Sequence, residues 1–218
     1  MLRTALLCVL LALAGYGSAL WLTHDFQVWT AEGARRLEVA LAPVAMPPVV
    51  VDGPKLAAQP LPQWLAAQGK VTIVDFVYTR CQTVCLALGS VFQQLQASLQ
   101  HPPAAPGGAA PQDPAVRLLS ISFDGAHDAP GVLQAYAQRL QADPAWWRFV
   151  RVPDAAQQQE LLRRLQVVVV PDGRGDFEHN AALLVLDAQG RLVRIFDVTE
   201  QQLALDYARH LGARQAAP

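Results

Sequence analysis

The stretch VTIVDFVYTRCQTVCLAL, residues 71–88, decides the fold. Its first nine residues form a β-branched and aromatic run of the kind that fills a buried strand. From Cys85 to Leu99 the apolar residues Leu88, Val91, Phe92, Leu95 and Leu99 recur at helical spacing. The unit is therefore a strand, a loop carrying Cys81 and Cys85, and a helix.

Downstream the alternation continues. Val116 to Asp124 reads as a second core strand, and a helix begins near Pro130 with Val132, Tyr136 and Leu140 on one face. Arg148 to Val152 is a short strand, and Ala155 to Leu165 is a helix turning Leu161, Leu162 and Leu165 inward. Val167 to Val170 ends in the turn-rich Pro171-Asp172-Gly173-Arg174-Gly175. Ala181 to Asp187 and Arg191 to Asp197 form a hairpin about Ala188-Gln189-Gly190, and Glu200 to Leu211 is the last helix. Strands alternating with helices, closed by an antiparallel end, predict an α/β domain: a thioredoxin-like mixed sheet flanked by helices. The Pro-, Gly- and Ala-rich residues 101–114 read as a surface loop.

Upstream, residues 25–46 read as a connector. Pro43, Pro47, Pro48, Pro54, Pro60 and Pro62 interrupt long elements; Val49 to Val51 suits an edge strand, and Gln63 to Gln68 a helical turn ended by Gly69. Residues 1–24 hold an uncharged apolar run from Thr4 to Leu22 behind Arg3. About 20 such residues cross a bilayer as a helix, and Trp21 suits its interface. A single-pass transmembrane helix is expected, with a cleaved signal peptide at Gly17-Ser18-Ala19 as the alternative. Either one exports the rest, placing the soluble domain in the periplasm, outside a bacterial inner membrane. The expected division is an anchor or signal segment at 1–24, a connector at 25–46, the domain at 47–213 and a tail at 214–218.

A net charge of -1, with scattered arginines, offers no basic field, so nucleic acid is excluded as a partner. Cys8 lies inside the apolar run, which leaves Cys81 and Cys85 as the cysteines of the exported part. Four residues apart at a helix start, their sulfurs can converge, and a helix N-terminus favours thiolate over thiol. Such a pair suits a soft metal ion, a reversible redox disulfide or a purely structural disulfide; CxxxC alone does not choose. His179, just before the strand at Ala181, is a candidate third ligand, because in a thioredoxin-like sheet that strand lies beside the first core strand. A locally hydrogen-bonded loop histidine is the alternative. His24, His101, His127 and His210 have no such placement. Asp128 reads as the cap of the helix near Pro130.

Three separated segments, VDFVYTRCQTVC, SISFDGAHDAPGVLQAYAQRL and HNAALLVLDAQGRLVRIFD, resemble the Sco/SenC family of copper chaperones for cytochrome c oxidase, over roughly Pro47 to Leu211. The resemblance implies a thioredoxin-like fold in which Cys81, Cys85 and His179 bind Cu(I) or Cu(II). It implies cytochrome c oxidase subunit II as partner, together with other periplasmic copper carriers or thiol reductants. The ligand chemistry agrees: thiolates prefer the cuprous ion and an imidazole helps to hold the cupric one. Gln82 and Leu86 stand where the family usually has prolines, and Ala129-Pro130 where it has Thr-Pro; Asp124 and Asp128 stand for the family's acidic residues beside that pair, which the resemblance makes candidates to support the cysteine loop. The competing function is a thiol-disulfide oxidoreductase that reduces the subunit II cysteines with the same pair. A peroxidase-like enzyme with Arg80 activating Cys81, and a scaffold or redox sensor, are the weaker classes.

Overall fold

The computed structural model describes residues 2–81, 84–101, 115–173 and 176–216, the side chains of 84–87 and 216 excepted. Residues 102–114 of the loop expected at 101–114 lie outside the described residues, as do Gln82, Arg174, Gly175 and the side chains of Cys85 and Leu86. The chain divides into two compact units, Met1–Ala42 and Pro43–Pro218.

In the first unit, helix α1 (Leu2–Leu22) is long and apolar enough to cross a membrane, and none of its residues is buried. Helix α2 (Ala31–Leu41) follows, capped by Thr30, whose side chain accepts from the Gly33 N–H. The expected connector thus contains a three-turn helix.

The second unit runs β1 (Val44–Ala45), β2 (Val50–Gly53), β3 (Leu56–Pro60), α3 (Leu61–Gln68), β4 (Val71–Val77), α4 (Val84–Gln100) and β5 (Val116–Ser122). It continues with α5 (Pro130–Arg139), β6 (Trp147–Arg151), α6 (Ala155–Arg164), β7 (Val169–Pro171), β8 (Phe177–His179), β9 (Leu183–Leu186), β10 (Arg191–Phe196) and α7 (Gln201–Ala216). Eight strands form one sheet in the order β1-β10-β9-β4-β5-β6-β2-β3. β4, β5 and β6 are parallel, and the remaining pairings are antiparallel. This is the predicted mixed, thioredoxin-like sheet, with β9 beside β4. Val50 and Val51 belong to the β2–β3 hairpin at one edge, and Gly69 ends α3 in the left-handed conformation with φ 58°. Helix α7 runs on through Ala216, past the expected boundary at 213.

Every residue of β4 and β5 is buried because helices cover both faces. Val71, Ile73, Val116, Leu118, Trp147 and Phe149 pack against Phe92, Leu95 and Leu99 of α4, Leu133 and Tyr136 of α5, and Ala204, Leu205 and Ala208 of α7. On the opposite face Arg117 donates to Thr72 and lies 4.4 Å over the Trp64 ring of α3. Leu133, not Val132, points into the core from α5; Val132 is exposed. Leu118 lies in the middle of this core with no exposed surface. Leu118→Ala is therefore expected to cost about 2–5 kcal/mol, seen as a lower denaturation midpoint at unchanged m-value.

Candidate functional site

The cysteine loop begins where β4 outruns its ladder. The β4–β5 pairing ends at Val77 and Ser122, with one further bond from the Phe123 N–H to the Val77 carbonyl at 3.0 Å. Beyond it a side chain replaces the missing strand partner. Asp128, fully buried, accepts from the Thr79 N–H at 3.0 Å and from the Thr79 hydroxyl at 2.6 Å. The Ser122 hydroxyl donates to the same carboxylate at 2.6 Å and accepts from the Asp124 N–H at 3.0 Å. Asp128 does not cap α5: the N-cap position is Ala129, with no side-chain cap. The neighbouring acid is engaged with side chains. Asp124 accepts from Arg80 Nη2 at 2.7 Å and Nε at 3.2 Å, and its other oxygen lies 2.8 Å from His127 Nδ1. Cys81 follows, 7% exposed, its N–H turned back to the Tyr78 carbonyl at 3.3 Å. The Cys85 backbone lies in the first turn of α4.

His179 is not in a loop. It sits in β8, opposite Val169 of β7, in a two-stranded ribbon separate from the main sheet. An aromatic cluster joins that ribbon to the end of β4. The Tyr78 hydroxyl donates to the Phe177 carbonyl and accepts from the Phe177 N–H, both at 3.3 Å. Tyr78, Phe123 and Phe177 stack at centroid distances of 5.1–5.6 Å, and the Phe123 ring meets the His179 ring edge-on at 5.2 Å. Burial lowers the His179 pKa from its ordinary 6.5. That favours the neutral imidazole, whose lone pair a metal ion requires.

The segment Ser122–Asp128 thus touches both arms of the expected site, Thr79 and Arg80 before Cys81 on one side and His179 on the other. Among the described residues no group of three metal-ligating side chains is assembled, and the Cys85 side chain is not among them. Arg80 is committed to Asp124 rather than aimed at a thiol alone. Sequence reading assigned no part to Tyr78 or Phe123. Their signal is the aromatic at the next-to-last position of each core strand run, just where the strand becomes a functional loop.

The model of the SCO1/SenC family matches residues 63–209, 147 of the 218 in the chain. The SCO1 protein homolog of Bacillus subtilis is 22% identical over 135 residues, covering 61% of this chain and 65% of that protein. The chain therefore spans just under two thirds of that relative's length. Among solved structures, a SCO1/SenC family lipoprotein from Bacillus anthracis superposes with a TM-score of 0.64 at 20% identity, covering 78% of this chain and 97% of that one. ScoI of Bradyrhizobium japonicum, solved with copper bound, superposes with a TM-score of 0.60 at 22% identity, covering 77% and 99%. The sheet order, the position of the cysteine loop and the family match agree, and the chain belongs to the SCO1/SenC family.

Proposed function

We propose that this protein carries copper as cargo, binding it through Cys81, Cys85 and His179, and delivers it to the copper centre of cytochrome c oxidase subunit II. The observation that carries the reading is the common support of the two arms: Ser122–Asp128 holds the start of the cysteine loop and packs against His179. Two thiolates suit Cu(I), and a neutral imidazole extends the set to Cu(II). Three protein ligands leave a position for an incoming thiolate. The ion then changes hands by ligand exchange without changing oxidation state. Helix α1 acts as the membrane anchor, with the domain on the periplasmic face of the bacterial inner membrane.

The test is transfer. Cu(I)-loaded protein, mixed anaerobically with the reduced soluble domain of subunit II, is expected to lose its copper to that domain. Copper retained by the donor, while a disulfide of oxidised subunit II is reduced by the copper-free protein, would replace this reading with a thiol-disulfide oxidoreductase.

A further inference from the structure

The carboxylate of Asp128 lies 49 residues from Thr79 in sequence, yet joins the root of the cysteine loop to Ser122 at the end of β5. Three donors converge on it at 2.6–3.0 Å, and it has no exposed surface. Its first turn of α5 is left without a side-chain cap, so local helix stability is not what this acid serves. It supplies the acceptor that Thr79 N–H would have found had β5 continued alongside β4. Through Ser122 it also fixes the backbone at Asp124, and Phe123, between those two, bears on the His179 ring.

From this we infer that Asp128 is a positioning residue for metal binding: it sets the spacing between the cysteine loop and the histidine ribbon by pinning Thr79 and Ser122 to one point. The inference rests on the copper reading above. It assigns Asp128 a geometric role and not an electrostatic one, and the two make different predictions. In Asp128→Asn the remaining oxygen can accept from the Thr79 N–H and Ser122, while the amide donates to a Thr79 hydroxyl that now accepts. Geometry is kept and charge is lost. In Asp128→Ala both are lost.

The experiment measures Cu(II) affinity by chelator competition, and the thiolate-to-copper absorption band, in the full chain and three variants. Asp128→Ala is expected to weaken Cu(II) binding about 10- to 100-fold, the usual scale for loss of an outer-sphere support, and to shift the band. Asp128→Asn is expected within about threefold of the parent with its band unmoved, and Thr79→Val between the two. A destabilised but correctly arranged site would lower the melting temperature without moving the band, so the spectrum separates positioning from bulk stability. A folded Asp128→Ala protein with parental affinity and band overturns the inference. So does Asp128→Asn as weak as Asp128→Ala, which would make the role one of charge. If Asp128→Ala does not fold, Thr79→Val decides, because it leaves the Asp128–Ser122 bond in place; a parental affinity and band there again overturn the inference. A parent protein that takes up no copper would instead remove the copper reading itself.

Discussion

Asp75→Asn is expected to make the protein about 4 kcal/mol more stable than the parent above about pH 7, with the two nearly equal below about pH 4. Asp75 lies in the middle of β4, in line with Val71 and Ile73 on the face covered by α4, and is 1% exposed. Burial, opposed by the Ser120 hydroxyl on the adjoining strand and by the backbone, raises its carboxyl from 3.8 to about 7. Neither carboxylate oxygen has a hydrogen-bond partner among the described residues. Ser120 itself accepts from Trp147 Nε1 at 2.8 Å. The folded protein therefore holds this proton more tightly than the unfolded chain does. Unfolding stability falls as pH rises from about 4, by roughly 1.4 kcal/mol per unit, until the folded-state carboxyl has ionised. An amide, which never ionises, should flatten that contribution. Chemical denaturation of both proteins at pH 4, 6 and 8 checks it, and parallel curves for the two would contradict it.

The run from Val71 to Val77 and the spacing from Leu88 to Leu99 were legible because burial on both faces demands an unbroken apolar strand and a packed helix demands its period. A polar Asp75 inside the run did not disturb the pattern. The ribbon that carries His179 was not legible: Val169–Pro171 and Phe177–His179 are three residues each, too short to show alternation. Helix α2 was hidden by Gly33 and by the prolines that follow, although Thr30 supplied a cap. Asp128 stood where a helix N-cap would, before Pro130, and only the tertiary fold reveals that its partner is Thr79. The members of the candidate site could be named from the sequence, but the contacts that support them cross 44 to 99 residues and could not.

Cys81→Ser is expected to lower copper affinity by well over the roughly 100-fold that loss of an outer-sphere contact costs, because it removes a ligand outright. A hydroxyl of high pKa does not replace a thiolate on a soft ion. Cys81 is almost fully buried in the loop after β4, so serine fits the space and the fold should survive. The variant should elute from a desalting column without copper while its far-ultraviolet circular dichroism matches the parent. Retention of one copper ion per chain by folded Cys81→Ser would place the ion elsewhere.

The most direct measurement of the central claim is an anaerobic Cu(I) titration of the reduced full chain, followed by absorption and electron paramagnetic resonance spectra of the oxidised complex, with and without His179→Ala. The expected result is one copper ion per chain, with a thiolate-to-Cu(II) band that is lost or displaced when His179 is replaced. Failure to bind one equivalent of copper, or Cu(II) spectra indifferent to His179, would contradict the assignment of Cys81, Cys85 and His179 as a single copper site.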